Sequence, residues 1–251
     1  MNKCKLCGGT CSEVGGGRYQ CDFCGATFSA NDFASSRSSG KGAKESVGGT
    51  NLGADIYERN VNGVLEITMV EGRASGYLIS QSGYAITNAH AVALENGRSC
   101  GQCKVKVAGE TVSATVVAMG TERNDMHCSN SDLALIRLAR VPMNATPLSF
   151  GDYNKVRTGE QIFVIGNSWG EGTCITSGIV SDKNRNGQLM YDCATNPGNS
   201  GGPVFNSEGR AIGTHVRGSV RNGVKAQGMN CAIPATEVEN FLSRVGIGYR
   251  K

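Results

Sequence analysis

Thr195-Asn196-Pro197-Gly198-Asn199-Ser200-Gly201-Gly202-Pro203-Val204-Phe205 is the stretch on which the reading of this chain turns. A serine hydroxyl is a poor nucleophile until a base takes its proton and amide donors await the oxyanion. Glycines on both sides of Ser200 suit that chemistry. Gly198 can turn its N–H inward beside that of Ser200, and Gly201-Gly202 leave room for an extended ligand backbone. Taken alone the run is also ordinary turn material, since Gly, Asn and Ser are common turn residues.

Two segments upstream change that. Thr87-Asn88-Ala89-His90-Ala91-Val92 follows the apolar run Tyr84-Ala85-Ile86 and places a histidine just past a strand. Ser131-Asp132-Leu133-Ala134-Leu135-Ile136-Arg137-Leu138 opens a buried-strand pattern with an aspartate. The three segments, in this order, resemble those of the trypsin-like (chymotrypsin-fold) serine peptidases. Other folds with the same triad use a different chain order.

The resemblance spans about 200 residues and implies a mainly β fold. Two six-stranded antiparallel β-barrels of chymotrypsin type would be followed by a C-terminal helix. It implies that Ser200 attacks a scissile carbonyl, His90 moves the proton and Asp132 holds the imidazole. The backbone N–H groups of Gly198 and Ser200 would form the oxyanion hole.

Composition suits such a fold. The 251 residues hold 36 glycines and only 5 prolines, with many short apolar runs. The net charge of +4 is spread along the chain without a basic block, which argues against nucleic acid as a partner. Met1-Asn2-Lys3-Cys4-Lys5-Leu6-Cys7 lacks the apolar core of a secretory signal, and no apolar run is long enough to span a membrane. A cytoplasmic setting is therefore expected, with most of the eleven cysteines as thiols or metal ligands. Ala91, where secreted trypsin-like enzymes carry a bridged cysteine, agrees with that expectation.

Residues 1–30 read as a separate unit. Cys4-x2-Cys7 and Cys21-x2-Cys24 are two knuckles, and Gly25 lets the backbone fold back beneath a metal. The unit looks like a zinc ribbon with one structural Zn2+. Thirty residues bury too little apolar surface to fold without the metal. Iron in the same four-thiolate set is the competing reading, and disulfides are the other. Cys11 is left over as a loop thiol. Residues 31–52 are rich in Ser, Gly and Lys and read as a flexible linker. Within it Val47-Gly48-Gly49 resembles a zymogen activation site, but that mechanism needs an aspartate where Asn199 stands.

Residues 53–251 form the peptidase-like domain. Strands are predicted over 63–70, 74–80, 84–87, 103–107, 111–118, 161–165, 172–180 and 210–216. A helix is predicted over 234–242, started by Thr236 with Glu239 three residues on. No PDZ-like segment is visible, in contrast to the HtrA-type peptidases that Ile165-Gly166-Asn167 otherwise resembles. Cys100, Cys103, His127 and Cys128 offer a second, less favoured zinc site. Cys174, Cys193 and Cys231 read as buried thiols.

The strand after the nucleophile loop carries Ile212-Gly213-Thr214-His215-Val216-Arg217-Gly218. Glutamyl endopeptidases and the chymotrypsin-fold viral proteases that cut after Gln carry G-x-H there, with Ser or Thr where this chain has Thr195. The resemblance implies a Glu or Gln preference read by His215 and Thr195, with Gly218 beside them. The alternatives are a hydrogen-bonded core histidine, and HtrA-like cleavage after small aliphatic residues. The expected partners are a polypeptide substrate and a protein bound by the ribbon. An inactive peptide-binding relative is the alternative function.

Overall fold

A computed structural model describes residues 2, 10–22, 25–30, 51–69, 72–120, 130–221 and 224–249. Cys4, Cys7, Cys24, His127, Cys128 and the Val47-Gly48-Gly49 segment lie outside them. The chain divides into Met1–Gly49 and Thr50–Lys251.

In the first unit β1 (Cys11–Gly15), β2 (Arg18–Cys21) and β3 (Thr27–Ser29) form an antiparallel sheet. The β1–β2 turn is possible because Gly15, Gly16 and Gly17 all take positive φ, a region open to glycine. Cys11 pairs with Cys21 in register, and both are buried, with Tyr19 and Phe28 packed on them. Cys11 is thus a strand residue, where a loop thiol was expected.

The second unit opens with α1 (Leu52–Asn60), which the sequence reading missed. Its start is set by the Asn51 side chain, which accepts the Ala54 N–H. Next come β4 (Val64–Met69), β5 (Gly72–Leu78), β6 (Tyr84–Thr87), β7 (Gln102–Val107), β8 (Glu110–Met119) and β9 (Ala134–Leu138). They close into a barrel in the order β4-β5-β6-β9-β8-β7. A second barrel, β10-β11-β12-β15-β14-β13, is built from β10 (Gln161–Asn167), β11 (Thr173–Arg185), β12 (Gln188–Tyr191), β13 (Pro203–Asn206), β14 (Ala211–Arg221) and β15 (Val224–Pro234). Then comes α2 (Ala235–Arg244). Two six-stranded antiparallel barrels with a C-terminal helix are as expected.

Apolar runs become strands buried on both faces where the barrels meet. Along β9, Leu135 joins the core shared with the second barrel, while Ala134 and Ile136 fill the first barrel's interior. Tyr77 and Leu78 divide in the same way. Fully buried Tyr77 also bonds Thr214 of β14 through its hydroxyl at 2.9 Å, so a polar contact links the barrels inside the core.

Three further strands went unread. β13 begins inside the glycine-rich loop, β12 has four residues, and β15 mixes Lys, Gln and Gly with its apolar positions. The second helix starts one residue before Thr236. Pro234 is its N-cap and makes no side-chain cap bond, so the expected Thr236–Glu239 box is not what begins it.

Candidate active site

The histidine and the aspartate are brought together by strand register. β6 and β9 run antiparallel with Thr87 opposite Ala134, so residues after Thr87 face residues before Ala134. His90 Nδ1 lies 2.7 Å from Asp132 Oδ2, and the His90 backbone N–H donates to Asp132 Oδ1 at 2.9 Å. Asn88 Nδ2 donates to the Asp132 backbone carbonyl at 2.8 Å, which fixes the aspartate from behind. Asp132 is buried and His90 half-buried. A carboxylate accepting Nδ1–H leaves Nε2 as the basic nitrogen of the ring.

The loop around Ser200 is seated against the same corner. A Cβ on Gly201 would fall 2.2 Å from Ser75 O and 2.4 Å from Thr87 Oγ1, so only glycine lets the loop approach the segment leading to His90. The carbonyls of Pro197 and Asn199 are taken by the N–H groups of Trp169 (2.7 Å) and Gly202 (2.9 Å). In a trans peptide the N–H points opposite to its C=O. The N–H groups of Gly198 and Ser200 therefore turn away from those partners, and among the described residues neither donates to a protein acceptor. Two such donors side by side suit a developing oxyanion. Ser200 Oγ itself donates to Val216 O at 2.8 Å, so its proton is not directed at His90 in this structure.

Ser75 was not singled out in the sequence, yet it organises the corner. Its Oγ donates to Gly198 O at 2.7 Å and accepts the Asn167 N–H at 2.8 Å. Its backbone N–H donates to Ser200 O at 2.7 Å, and its carbonyl accepts the Thr87 hydroxyl at 2.7 Å. The available signal was a small polar residue within an inward-facing strand run.

His215 is anchored beside the Ser200 loop by its backbone, through 2.8 Å bonds to Gly201 and Gly202. Its Nδ1 lies 2.5 Å from the Tyr191 hydroxyl, and burial pushes the Tyr191 phenol well above its ordinary range. Thr195 Oγ1 donates to Asn230 Oδ1 at 2.7 Å, and Gly218 sits opposite Asn230 in register. His215, Thr195 and Asn230 are all buried. Asn230, a polar residue interrupting the run before Cys231-Ala232-Ile233, was the legible sign that was passed over. Tyr191 left no local signal.

Cys100 and Cys103 line a cavity of ≈ 280 Å³ next to His90. The Cys103 thiol is pushed up to about 11, first by burial and then by the Cys100 thiol. Cys193 is a buried thiol, pushed up to about 12, mainly by burial. The other two thiol readings are corrected. Cys174 is exposed, being on a solvent-facing position of β11, and Cys231 is in a disulfide.

Residues 74–213, more than half of the chain, match the trypsin-like peptidase domain family. The chain belongs to that family. Within it the sequence is 30% identical over 180 residues to a DegP-like periplasmic serine endoprotease of Brucella suis, covering 69% of this chain and 33% of that one. A do/HhoA-like periplasmic serine protease of Haemophilus influenzae is 32% identical over 192 residues, covering 69% and 36%. The chain thus spans about a third of the length of the curated relatives it matches. Among solved structures the HtrA-type protease AlgW with a tripeptide aligns at TM-score 0.62 and 30% identity, over 77% of this chain and 64% of that one. AlgW with a decapeptide aligns at TM-score 0.63 and 24% identity over 77% and 67%, a likeness of fold. The expectation of a serine protease is borne out at the level of the family. The cytoplasmic expectation is overturned, because these relatives are named periplasmic.

The geometry around Ser75 yields a test. Ser75→Ala leaves Gly198 O and the Asn167 N–H without their buried partner, and so loosens the peptide that aims the Gly198 N–H. Peptide turnover per titrated active site should fall about 10- to 10³-fold with KM little changed, as for loss of an oxyanion donor. Unchanged turnover with only a lowered melting temperature would limit Ser75 to a structural role.

Proposed function

We propose that this domain is a serine endopeptidase in which Ser200 is the nucleophile, His90 the general base and acid, and Asp132 the group that orients it. The N–H groups of Gly198 and Ser200 would receive the oxyanion. The observation that carries this reading is the His90–Asp132 pair at 2.7 Å beside a loop whose two amide donors face away from protein acceptors. Ser200 attacks once its hydroxyl leaves Val216 O and turns to His90 Nε2. Side-chain selection is assigned to His215, Thr195 and Gly218, for Glu or Gln before the scissile bond. It is supported by the burial of His215 and its backbone attachment to Gly201 and Gly202.

The first unit is assigned a structural Zn2+ at Cys4, Cys7, Cys21 and Cys24. Its second knuckle suits that role: Gly25 takes φ 73° and donates to Cys21 O at 3.0 Å, the fold-back turn a thiolate pair needs. The metal would supply folding energy to the unit and takes no part in hydrolysis. A protein partner recruited by the ribbon belongs to the same proposal. The setting we assign is periplasmic, following the relatives' names, and a disulfide at Cys231 fits an oxidising compartment. The Ser200–Val216 bond favours one competing reading, a peptide-binding domain without turnover.

A fluorophosphonate probe separates the two. Ser200 should label covalently, and His90→Ala should abolish labelling. Loss of Ser200 or His90 alone should lower turnover about 10⁶-fold. An unlabelled wild type supports the peptide-binding reading, and peptide cleavage surviving in purified Ser200→Ala refutes the nucleophile.

Zinc should co-purify at about one equivalent and disappear with deletion of residues 1–30. Metal retained after that deletion would redirect the assignment to Cys100, Cys103, His127 and Cys128.

A further inference from the structure

Two thiols, Cys100 and Cys103, share the ≈ 280 Å³ cavity beside His90 and take no part in the hydrolysis proposed above. That volume is close to twice the ~150 Å³ of an apolar cavity that admits benzene, so a small organic group can enter. Met69, Ala91, Val92 and Leu94 give it apolar walls. Among the described residues Glu95 adds a carboxylate, and no lysine or arginine lines it. A neutral or cationic group is therefore favoured there over an anionic one.

Cys100 is held firmly at this wall. The Gln102 N–H donates to Cys100 O at 2.8 Å across Gly101, whose φ of 74° is open to glycine. The Cys100 N–H donates to Val92 O at 2.8 Å, and the Val92 N–H to Ala89 O at 3.0 Å. Cys100 is thus braced on the turn that carries His90. Both thiols are half-buried, so a small reagent can reach them. Burial first, and the neighbouring Cys100 second, push the Cys103 thiol up to about 11. At pH 7 roughly one Cys103 in 10⁴ is then a thiolate, the form that attacks. Reaction falls to Cys100.

We propose that Cys100 is a mixed-disulfide site for small neutral or cationic disulfides, and that the attached group occupies the cavity beside His90. The Cys100 thiolate attacks one sulfur of the incoming disulfide, forms the new S–S bond and expels the other half as a thiolate. That thiolate takes up the proton Cys100 gave. Cys100 is oxidised, and the departing half of the disulfide is reduced. Attack by Cys103 on Cys100 Sγ would release the attached group as a second thiol. The scarcity of its thiolate keeps that step slow, so the adduct persists. The oxidising setting assigned above is one in which such adducts last. A group in the cavity obstructs a peptide that must pass His90. That consequence rests on the peptidase reading, whereas formation of the adduct does not.

Cystamine, 2-hydroxyethyl disulfide and glutathione disulfide test it with the full-length chain, the adducts being located by non-reducing peptide mapping. Cys100 should take cystamine about tenfold or more faster than the anionic glutathione disulfide, with the neutral reagent between them. Peptide turnover should fall about 10²-fold as Cys100 is modified and return with dithiothreitol. Cys100→Ser should keep its turnover in cystamine, whereas Cys174→Ser, at an exposed thiol, should lose it as the wild type does. No adduct at Cys100, or glutathione disulfide reacting there as fast as cystamine, would overturn the proposal. So would unchanged turnover once Cys100 is fully modified. A chain that takes the adduct on Cys100 yet neither labels with fluorophosphonate nor cleaves peptides, even before treatment, would fail the peptidase reading and leave this site standing.

Discussion

The side chain of Ser75 is the point on which the site depends. One hydroxyl on β5 of the first barrel donates to Gly198 O and accepts from Asn167 N of β10 in the second. The same residue's N–H holds Ser200 O, and its carbonyl holds the hydroxyl of Thr87, three residues before His90. His90 and Ser200 belong to different barrels, and backbone pairing within either one does not set their separation. A buried polar contact with every partner satisfied does so, because any displacement would leave a carbonyl or amide unpaired in the core. The glycines follow from that constraint. Positions 76, 166, 201 and 202 crowd this corner, and a Cβ at any of them would lie 3.0 Å or less from a neighbouring atom.

A second polar chain extends from the Ser200 loop into the second barrel. His215 is tied to Gly201 and Gly202 by its backbone and to Tyr191 by its ring. Asn230 reaches Tyr191 O, Cys193 O and Thr195 Oγ1. Three strands of the second barrel thus hold this polar chain together.

The segments carrying His90, Asp132 and Ser200 could be singled out because each has its pattern in a short local frame. Thr87 through Val92, Asp132 before an apolar run and Gly198 through Gly202 can be read without knowing what they contact. Barrel number and closure were legible through the family resemblance. Ser75, Tyr191 and Asn230 act through partners 92 to 123, 24 and 35 to 39 residues away, and local patterning carries no record of such pairings. The missed helix at Leu52–Asn60 begins at an Asn51 cap directly after a Ser/Gly-rich stretch, whose composition hid it. The cellular setting was misjudged from the first residues, which record nothing of where relatives of this domain work.

The most direct measurement of the account is a crystal structure of the domain trapped with a peptidyl phosphonate. The expected electron density joins Ser200 Oγ to phosphorus, with a phosphoryl oxygen on the N–H groups of Gly198 and Ser200. A peptide bound in the cleft with Ser200 Oγ unmodified and still on Val216 O would contradict the assignment of Ser200 as the nucleophile.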